Sequence, residues 1–384
     1  MIKRIIAPHV KKAAKGFPLV GILGPRQSGK TTLARAIFPG YQYVNLELPG
    51  SRRFAGEDPE KFLQKYPKYT IIDEVQRVPE LFSYLQVKTD EDKIPGQYIL
   101  TGSQHFLLLN RVTQSLAGRI ALFNLYPLSF EEISQTHKNL TLDQLIYQGG
   151  YPKLYAQNLD INLWYNSYVQ TYLERDISQL NQIADLPLFE KFLRLAAGRT
   201  GQLLNLSALA GSLGISHNTV KAWINLLVVS GLVKLLQPYY ANLNKRLIKT
   251  PKLYFTDTGL ACWLIGINAV NQLETHPLYG ALFETFIVSE IFKHLVNHQI
   301  HSRPYFFRDR RGLEADLLVE NGTKLTLAEI KSSQTIPASP FGRLLKIKAT
   351  LAKPAALNLV YGGGENQTRT HGRIISWKKT AAVL

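Results

Sequence analysis

The feature that most constrains this chain is the run Gly24-Pro-Arg-Gln-Ser-Gly-Lys-Thr-Thr, set between an apolar segment and a helix-like one. Phe17 to Leu23 reads as a short buried strand, and Leu33-Ala-Arg-Ala-Ile-Phe reads as a helix. A chain wraps a triphosphate only where its N–H groups turn inward and no Cβ blocks the approach, which explains the glycines Gly24 and Gly29 at both ends. Pro25, Arg26, Gln27, Ser28 and Thr32 complete the cradle, Lys30 reaches the β- and γ-phosphates, and Thr31 ligates Mg²⁺. The following helix aims its positive N-terminal end at the same anion.

Such a loop predicts a second, acidic strand, and Tyr69-Thr-Ile-Ile-Asp-Glu fits. Asp73 is expected to hold Mg²⁺ through water and Glu74 to polarise the attacking water as general base. Adjacent carboxylates at a strand end also read as plain turn residues, and it is the upstream loop that favours the catalytic reading. A third strand, Gln97-Tyr-Ile-Leu-Thr-Gly-Ser-Gln, offers Ser103 or Gln104 as a γ-phosphate sensor. Helices are expected over 58–67 and 79–86 between these strands.

The GPRQSGKTTL loop, the IIDEVQ and TGSQ strand ends and SLAGRIALFNLYPLS resemble a widespread prokaryotic AAA-type ATP-binding family whose C-terminal half is a domain of unknown function. Gly149-Gly-Tyr-Pro, Tyr172-Leu-Glu-Arg-Asp, Tyr254-Phe-Thr-Asp-Thr-Gly-Leu and Gly280-Ala-Leu-Phe-Glu extend the likeness over nearly the whole chain. The resemblance implies an α/β fold that binds ATP and Mg²⁺ on a parallel sheet. It also makes Arg119 the candidate arginine acting in cis or in trans on the transferring phosphoryl group. A structural salt bridge accounts for Arg119 equally well.

Leu204 to Val233 has helix-turn-helix spacing, with Ser207 and Ser216 as expected caps and Leu232 to Leu236 as the start of a wing strand. If this winged-helix-like element reads DNA, His217, Asn218 and Lys221 face the major groove. Between Leu204 and Leu236 the only charges are Lys221 and Lys234, so phosphate attraction there is slight and a lid or docking role competes.

Further on, Glu314-Ala-Asp-Leu-Leu-Val-Glu and Thr323-Lys-Leu-Thr-Leu-Ala-Glu-Ile-Lys flank Asn321-Gly322, the signature of a hairpin. With Asn321 and Gly322 as the loop, Asp316 opposes Leu327, and Asp316, Glu329 and Lys331 share one face. Two carboxylates suit a hard cation such as Mg²⁺, and a lysine beside them can orient or deprotonate a water for phosphodiester cleavage. The pattern resembles the PD-(D/E)XK restriction-endonuclease-like superfamily, which adds Glu284 as the upstream helical acid and implies metal binding by Glu284, Asp316 and Glu329. Ala315 stands where that superfamily has its name-giving proline. An inactive, retained core is the competing reading.

The charge balance agrees with an anionic partner: 45 basic against 28 acidic residues leave a net +17. Much of the local excess lies in Thr335 to Leu384, where Glu365 is the sole acid. Nucleic acid is therefore the expected macromolecular partner, with a protein partner or a homo-oligomer also open. The lone Cys262 excludes an intrachain disulfide and points to a reducing, cytoplasmic compartment. No apolar run of about 18 residues suggests a membrane span. The expected organisation is a P-loop ATPase domain over 1–135, a helical region over 136–265 and a mixed α/β nuclease-like domain over 266–384. The whole reads as an ATP hydrolase coupled to a nuclease-like domain, or as an ATP-gated module whose C-terminal domain only docks a partner.

Overall fold

The structure, a computed structural model, describes residues 2–103, 116–172, 185–239 and 249–384. Its first sheet joins β1 (Leu19–Gly24), β2 (Gln42–Asn45), β3 (Thr70–Asp73), β4 (Tyr98–Ser103) and β5 (Ile120–Asn124) in the order β2-β3-β4-β1-β5. All pairings are parallel. Every residue of β1 is buried, because helices cover both faces. Leu19 and Leu23 pack with Ile72, Leu100, Phe62 and Phe82, while Val20 and Ile22 pack with Ile71, Ile99, Ile6 and Leu33. Burial on two sides is why these strands read as continuous apolar runs rather than alternating ones. Parallel pairing also places the C-terminal ends of β1 and β3 at the same edge of the sheet.

The two expected intervening helices occur as Pro59–Lys65, capped by Asp58, and Leu81–Asp92, which runs further than the sequence pattern indicates. Beyond the first sheet the described residues are mainly helical, apart from a two-residue strand at Gln202–Leu203, up to the helix-turn-helix pair Leu206–Leu213 and His217–Val229. Ser216 caps the second helix by accepting from the Thr219 N–H. Ser207 does not cap the first: Asn205 does, through the Ala208 N–H, because the helix begins two residues earlier than a cap at the serine would allow. Leu209, Ala210, Leu213, Val220, Trp223 and Leu227 are buried, as the periodicity requires.

The expected wing strand is β7 (Val233–Pro238), which follows β6 (Gln202–Leu203) and pairs with β8 (Lys252–Phe255). Its other edge pairs in parallel with β9 (Arg303–Arg308). Beyond β9 come β10 (Glu314–Asn321), β11 (Lys324–Lys331), β12 (Ala355–Tyr361), β13 (Gln367–Arg369) and β14 (Gly372–Ser376), and a nine-stranded sheet results, in the order β13-β14-β12-β11-β10-β9-β7-β8-β6. The division expected at 265/266 is thus crossed by a hydrogen-bonded sheet. It is also crossed by one core that joins Phe189, Phe192 and Trp223 to Phe283, Ile287 and Trp377.

The hairpin turn differs from expectation. Asn321 pairs with Lys324 and Leu318 with Leu327, so the loop is Gly322-Thr323 and the register is displaced by two residues. Gly322 has φ +60° and takes the first central position, where a two-residue hairpin of type II′ requires glycine. A displacement of two preserves the side-chain alternation, so Asp316, Glu329 and Lys331 still share a face.

Candidate functional site

The phosphate loop leaves β1 at Gly24, whose backbone runs so close to the Leu125 carbonyl that an added Cβ would lie 2.1 Å from it. Lys30, at the start of helix Lys30–Ile37, is buried and donates to the Gly24 carbonyl at 3.1 Å and the Pro25 carbonyl at 2.9 Å. Thr31 Oγ1 donates to both oxygens of Asp73, at 3.0 and 2.9 Å. Tyr43 and Thr101 also donate to that carboxylate, and together they fix it at the end of β3. Glu74 follows in the left-handed region, with φ +55°, and accepts from the Gln76 amide. Burial raises the Glu74 carboxyl above its ordinary value, against the opposing effect of Lys30.

Bringing Thr31, Asp73 and Glu74 to the mouth of the loop is what the sequence pattern calls for in a nucleotide site. Ser28 Oγ is buried there without a hydrogen-bond partner, and such an orphan in a glycine-bounded loop suits a phosphate oxygen. Thr31 and Asp73 are the residues that would hold Mg²⁺. Arg26 lies 3.8 Å from Glu47. Ser103 ends β4, but its side chain and Gln104 lie outside the described residues, as does the part of the Tyr172-Leu-Glu-Arg-Asp motif that follows Tyr172.

Sequence reasoning missed Arg4. Its guanidinium donates to the Ser28 carbonyl in the loop at 2.8 Å, to the Tyr126 carbonyl at 2.7 Å and to Glu132 Oε1 at 2.9 Å. Glu132 is fully buried and also accepts from the Ile5 and Ser129 N–H groups. The same stretch is gripped from the C-terminal side. Glu290, on helix Tyr279–Asn297, accepts from the Phe130 N–H at 2.7 Å, and Lys293 donates to the Leu128 carbonyl at 3.2 Å.

Two of the quoted motifs meet nearby. Asp257 of the Thr-Asp-Thr-Gly run accepts from the Gly150 N–H at 2.6 Å and caps its own helix through Leu260. Gly150 in turn accepts from the Leu128 N–H, and a Cβ on Gly150 would lie 2.3 Å from the Leu128 carbonyl. These motifs are explained by a close backbone crossing.

Arg119 does not belong to the phosphate site of its own chain. It precedes Ile120, which pairs with Leu19 at the start of β1, whereas the loop begins at the other end, after Gly24. At about 3.3 Å per residue, the strand separates them by more than a side chain spans. Arg119 instead makes an exposed two-point ion pair with Asp90, at 2.5 and 2.8 Å.

The C-terminal carboxylates converge around a residue the sequence did not single out. Lys252 on β8 is buried, with its ammonium 2.5 Å from Glu314, 2.9 Å from Glu284 and 3.8 Å from Asp316. Burial alone would lower the lysine, but Glu284, then Asp316 and Glu314, outweigh it and hold the ammonium protonated. Tyr254 donates to Glu284. Asp316 accepts from the Ile330 N–H at 2.8 Å, and burial, then Glu284, push its carboxyl up to about 8. Lys331 pairs with Glu329 at 2.8 Å, and Arg343 lies 3.5 Å from the same carboxylate.

The expected cation ligands Glu284, Asp316 and Glu329 therefore do not fit one divalent ion as a set. The Lys252 ammonium stands against Glu284 and near Asp316, where such an ion would have to displace it. Lys252 is separated from the hairpin by some sixty residues, and its only sequence signal is a lysine opening the otherwise apolar strand Lys-Leu-Tyr-Phe.

Residues 16–134 match the AAA domain family, while 139–271 and 279–380 match two domains of unknown function, DUF8612 and DUF4143. Among solved structures, a Walker-type ATPase of Pyrococcus abyssi aligns with 69% of this chain and 96% of that chain, at 16% identity and a TM-score of 0.46. An uncharacterized protein of Haemophilus influenzae is 27% identical over 228 residues, 54% of this chain and 55% of that protein. An uncharacterized protein of Mycobacterium tuberculosis is 31% identical over 366 residues, 94% of this chain and 80% of the relative. The chain belongs to the family of that mycobacterial protein, carrying an AAA domain of the ATPase type followed by two domains of unknown function.

Proposed function

We propose that the chain binds Mg-ATP at the Gly24–Thr32 loop and hydrolyses it, and that the nucleotide state is passed to a C-terminal module that binds nucleic acid without cutting it. The observation that carries the ATPase reading is Thr31 hydrogen-bonded to both Asp73 oxygens, with Glu74 adjoining them. Mg²⁺, when bound, would neutralise charge on the β- and γ-phosphates. Lys30 and the loop N–H groups hold those phosphates, and Glu74 accepts a proton from the water that attacks the γ-phosphorus. Arg4 connects the loop to Tyr126 and Glu132, and Glu290 and Lys293 continue from there to the C-terminal helix.

Exposed Arg310, Arg311, Arg343, Lys346 and Lys348 support contact with a phosphate backbone. Lys252 supplies the positive charge within the acidic cluster, which favours binding over cleavage. ATPase and nucleic-acid assays on one preparation test both parts. Lys30→Ala is expected to abolish hydrolysis, and Glu74→Gln to retain bound ATP without turnover. Wild-type turnover by a clean Lys30→Ala sample would overturn the ATPase assignment. Mg²⁺- or Mn²⁺-dependent strand cleavage that disappears in Asp316→Ala/Lys331→Ala would overturn the non-cutting reading, and absence of salt-sensitive binding to single-stranded, double-stranded and RNA probes would overturn the nucleic-acid part.

A further inference from the structure

Glu131 lies in the short helix Phe130–Ile133, His294 lies in the last turn of helix Tyr279–Asn297, and His298, four residues further on, is that helix's C-terminal cap. His294 Nδ1 and His298 Nε2 each stand 3.2 Å from the same atom, Glu131 Oε2. All three atoms lie within 4.8 Å of one another, and among the described residues no other group of three or more His, Cys, Asp or Glu side chains converges in this way. The two imidazole rings are side by side, with centroids 4.2 Å apart.

Zinc with nitrogen and oxygen ligands at about 2.0–2.1 Å has tetrahedral ligand–ligand edges of about 3.3 Å. The two observed nitrogen–oxygen separations match that edge, and the third, between the two ring nitrogens, is within 4.8 Å. The donor set is two imidazoles and a carboxylate, which suits zinc and its neighbours and does not suit Mg²⁺, an ion that demands oxygen ligands. Side-chain exposures of 20% for His294, 33% for His298 and 50% for Glu131 leave room for water in the remaining position.

We propose that Glu131, His294 and His298 form a zinc site that fastens the segment after β5 to the C-terminal helix. The position gives the ion leverage. Glu131 adjoins Glu132, which holds Arg4, and Arg4 reaches Ser28 in the phosphate loop. His294 adjoins Lys293, which bonds to the Leu128 carbonyl. A bound ion would stiffen the link between the loop and the C-terminal module. It takes no part in the ATPase chemistry itself.

The test is zinc titration of chelator-treated, full-length protein by calorimetry, in excess Mg²⁺ so that the ATP-site carboxylates are occupied, with cobalt as a spectroscopic probe. The expected result is one zinc per chain, visible bands of a four-coordinate cobalt ion, and a Tm that rises with zinc. Glu131→Gln preserves size and a hydrogen-bond acceptor, so its fold should persist, and it should weaken zinc at least about tenfold. His294→Ala/His298→Ala should remove the site and the Tm response. Failure of the wild type to bind zinc would show that the three groups only hydrogen-bond to one another and would overturn the site. Unchanged affinity and stoichiometry in both variants would overturn it as well.

Discussion

Arg4 donates to the Ser28 carbonyl at 2.8 Å, so a residue ahead of the first strand holds the middle of the phosphate loop. The same guanidinium pairs with Glu132, and both side chains are buried, with 7% and 0% exposure. Removing one partner of a buried pair leaves the other charged and desolvated, at a cost of about 3–5 kcal/mol. Arg4→Ala should therefore lower stability by about that amount in urea unfolding. It should also weaken binding of a fluorescent ATP analogue. Arg4→Lys should recover part of the stability, since a single ammonium cannot make the three divergent contacts. An Arg4→Ala protein with an unchanged urea midpoint would contradict the role assigned to this pair.

Arg119 leads to the opposite expectation. Its pairing with exposed Asp90, at the far end of β5 from the loop, gives it no route to the phosphates of its own chain. Arg119→Ala should leave ATP hydrolysis unchanged in dilute, monomeric protein and should leave the thermal midpoint nearly unchanged. A large loss of turnover that depends on protein concentration would instead reveal a contribution across a subunit contact.

Asp316 should make stability fall as pH rises. Its carboxyl is pushed up to about 8, mainly by burial and then by Glu284, from an ordinary value of 3.8. Between those values the folded state binds more protons than the unfolded one, so the stabilising contribution is complete below about pH 4 and is lost as pH climbs through 8. Wild-type protein should lose more of its urea resistance between about pH 5.5 and about pH 8.5 than Asp316→Asn does. Equal losses in the two proteins would show that Asp316 does not titrate in this interval.

The parts legible in the sequence are those whose residues are neighbours in it. The phosphate loop and the Asp73-Glu74 strand end are contiguous motifs. The shared face of Asp316, Glu329 and Lys331 follows from strand alternation, and it survived an error of two in the register because alternation has a period of two. Lys252 and Arg4 were illegible for the complementary reason. Each acts on residues far along the chain, and an isolated charged residue carries no periodic signal. The same holds for the pairing of Gln237 with Tyr305 and Pro238 with Phe306, which merges two expected units into one sheet.

That pairing has a consequence for any attempt to divide the protein. A fragment ending before β9 would leave one edge of β7 without its neighbour, and Phe306, now fully buried, would be missing from the core. Uncovered strand edges recruit other strands. Such a fragment should self-associate rather than stay monodisperse, and the smallest well-behaved unit containing the helix-turn-helix pair should also contain β9 and the hairpin beyond it.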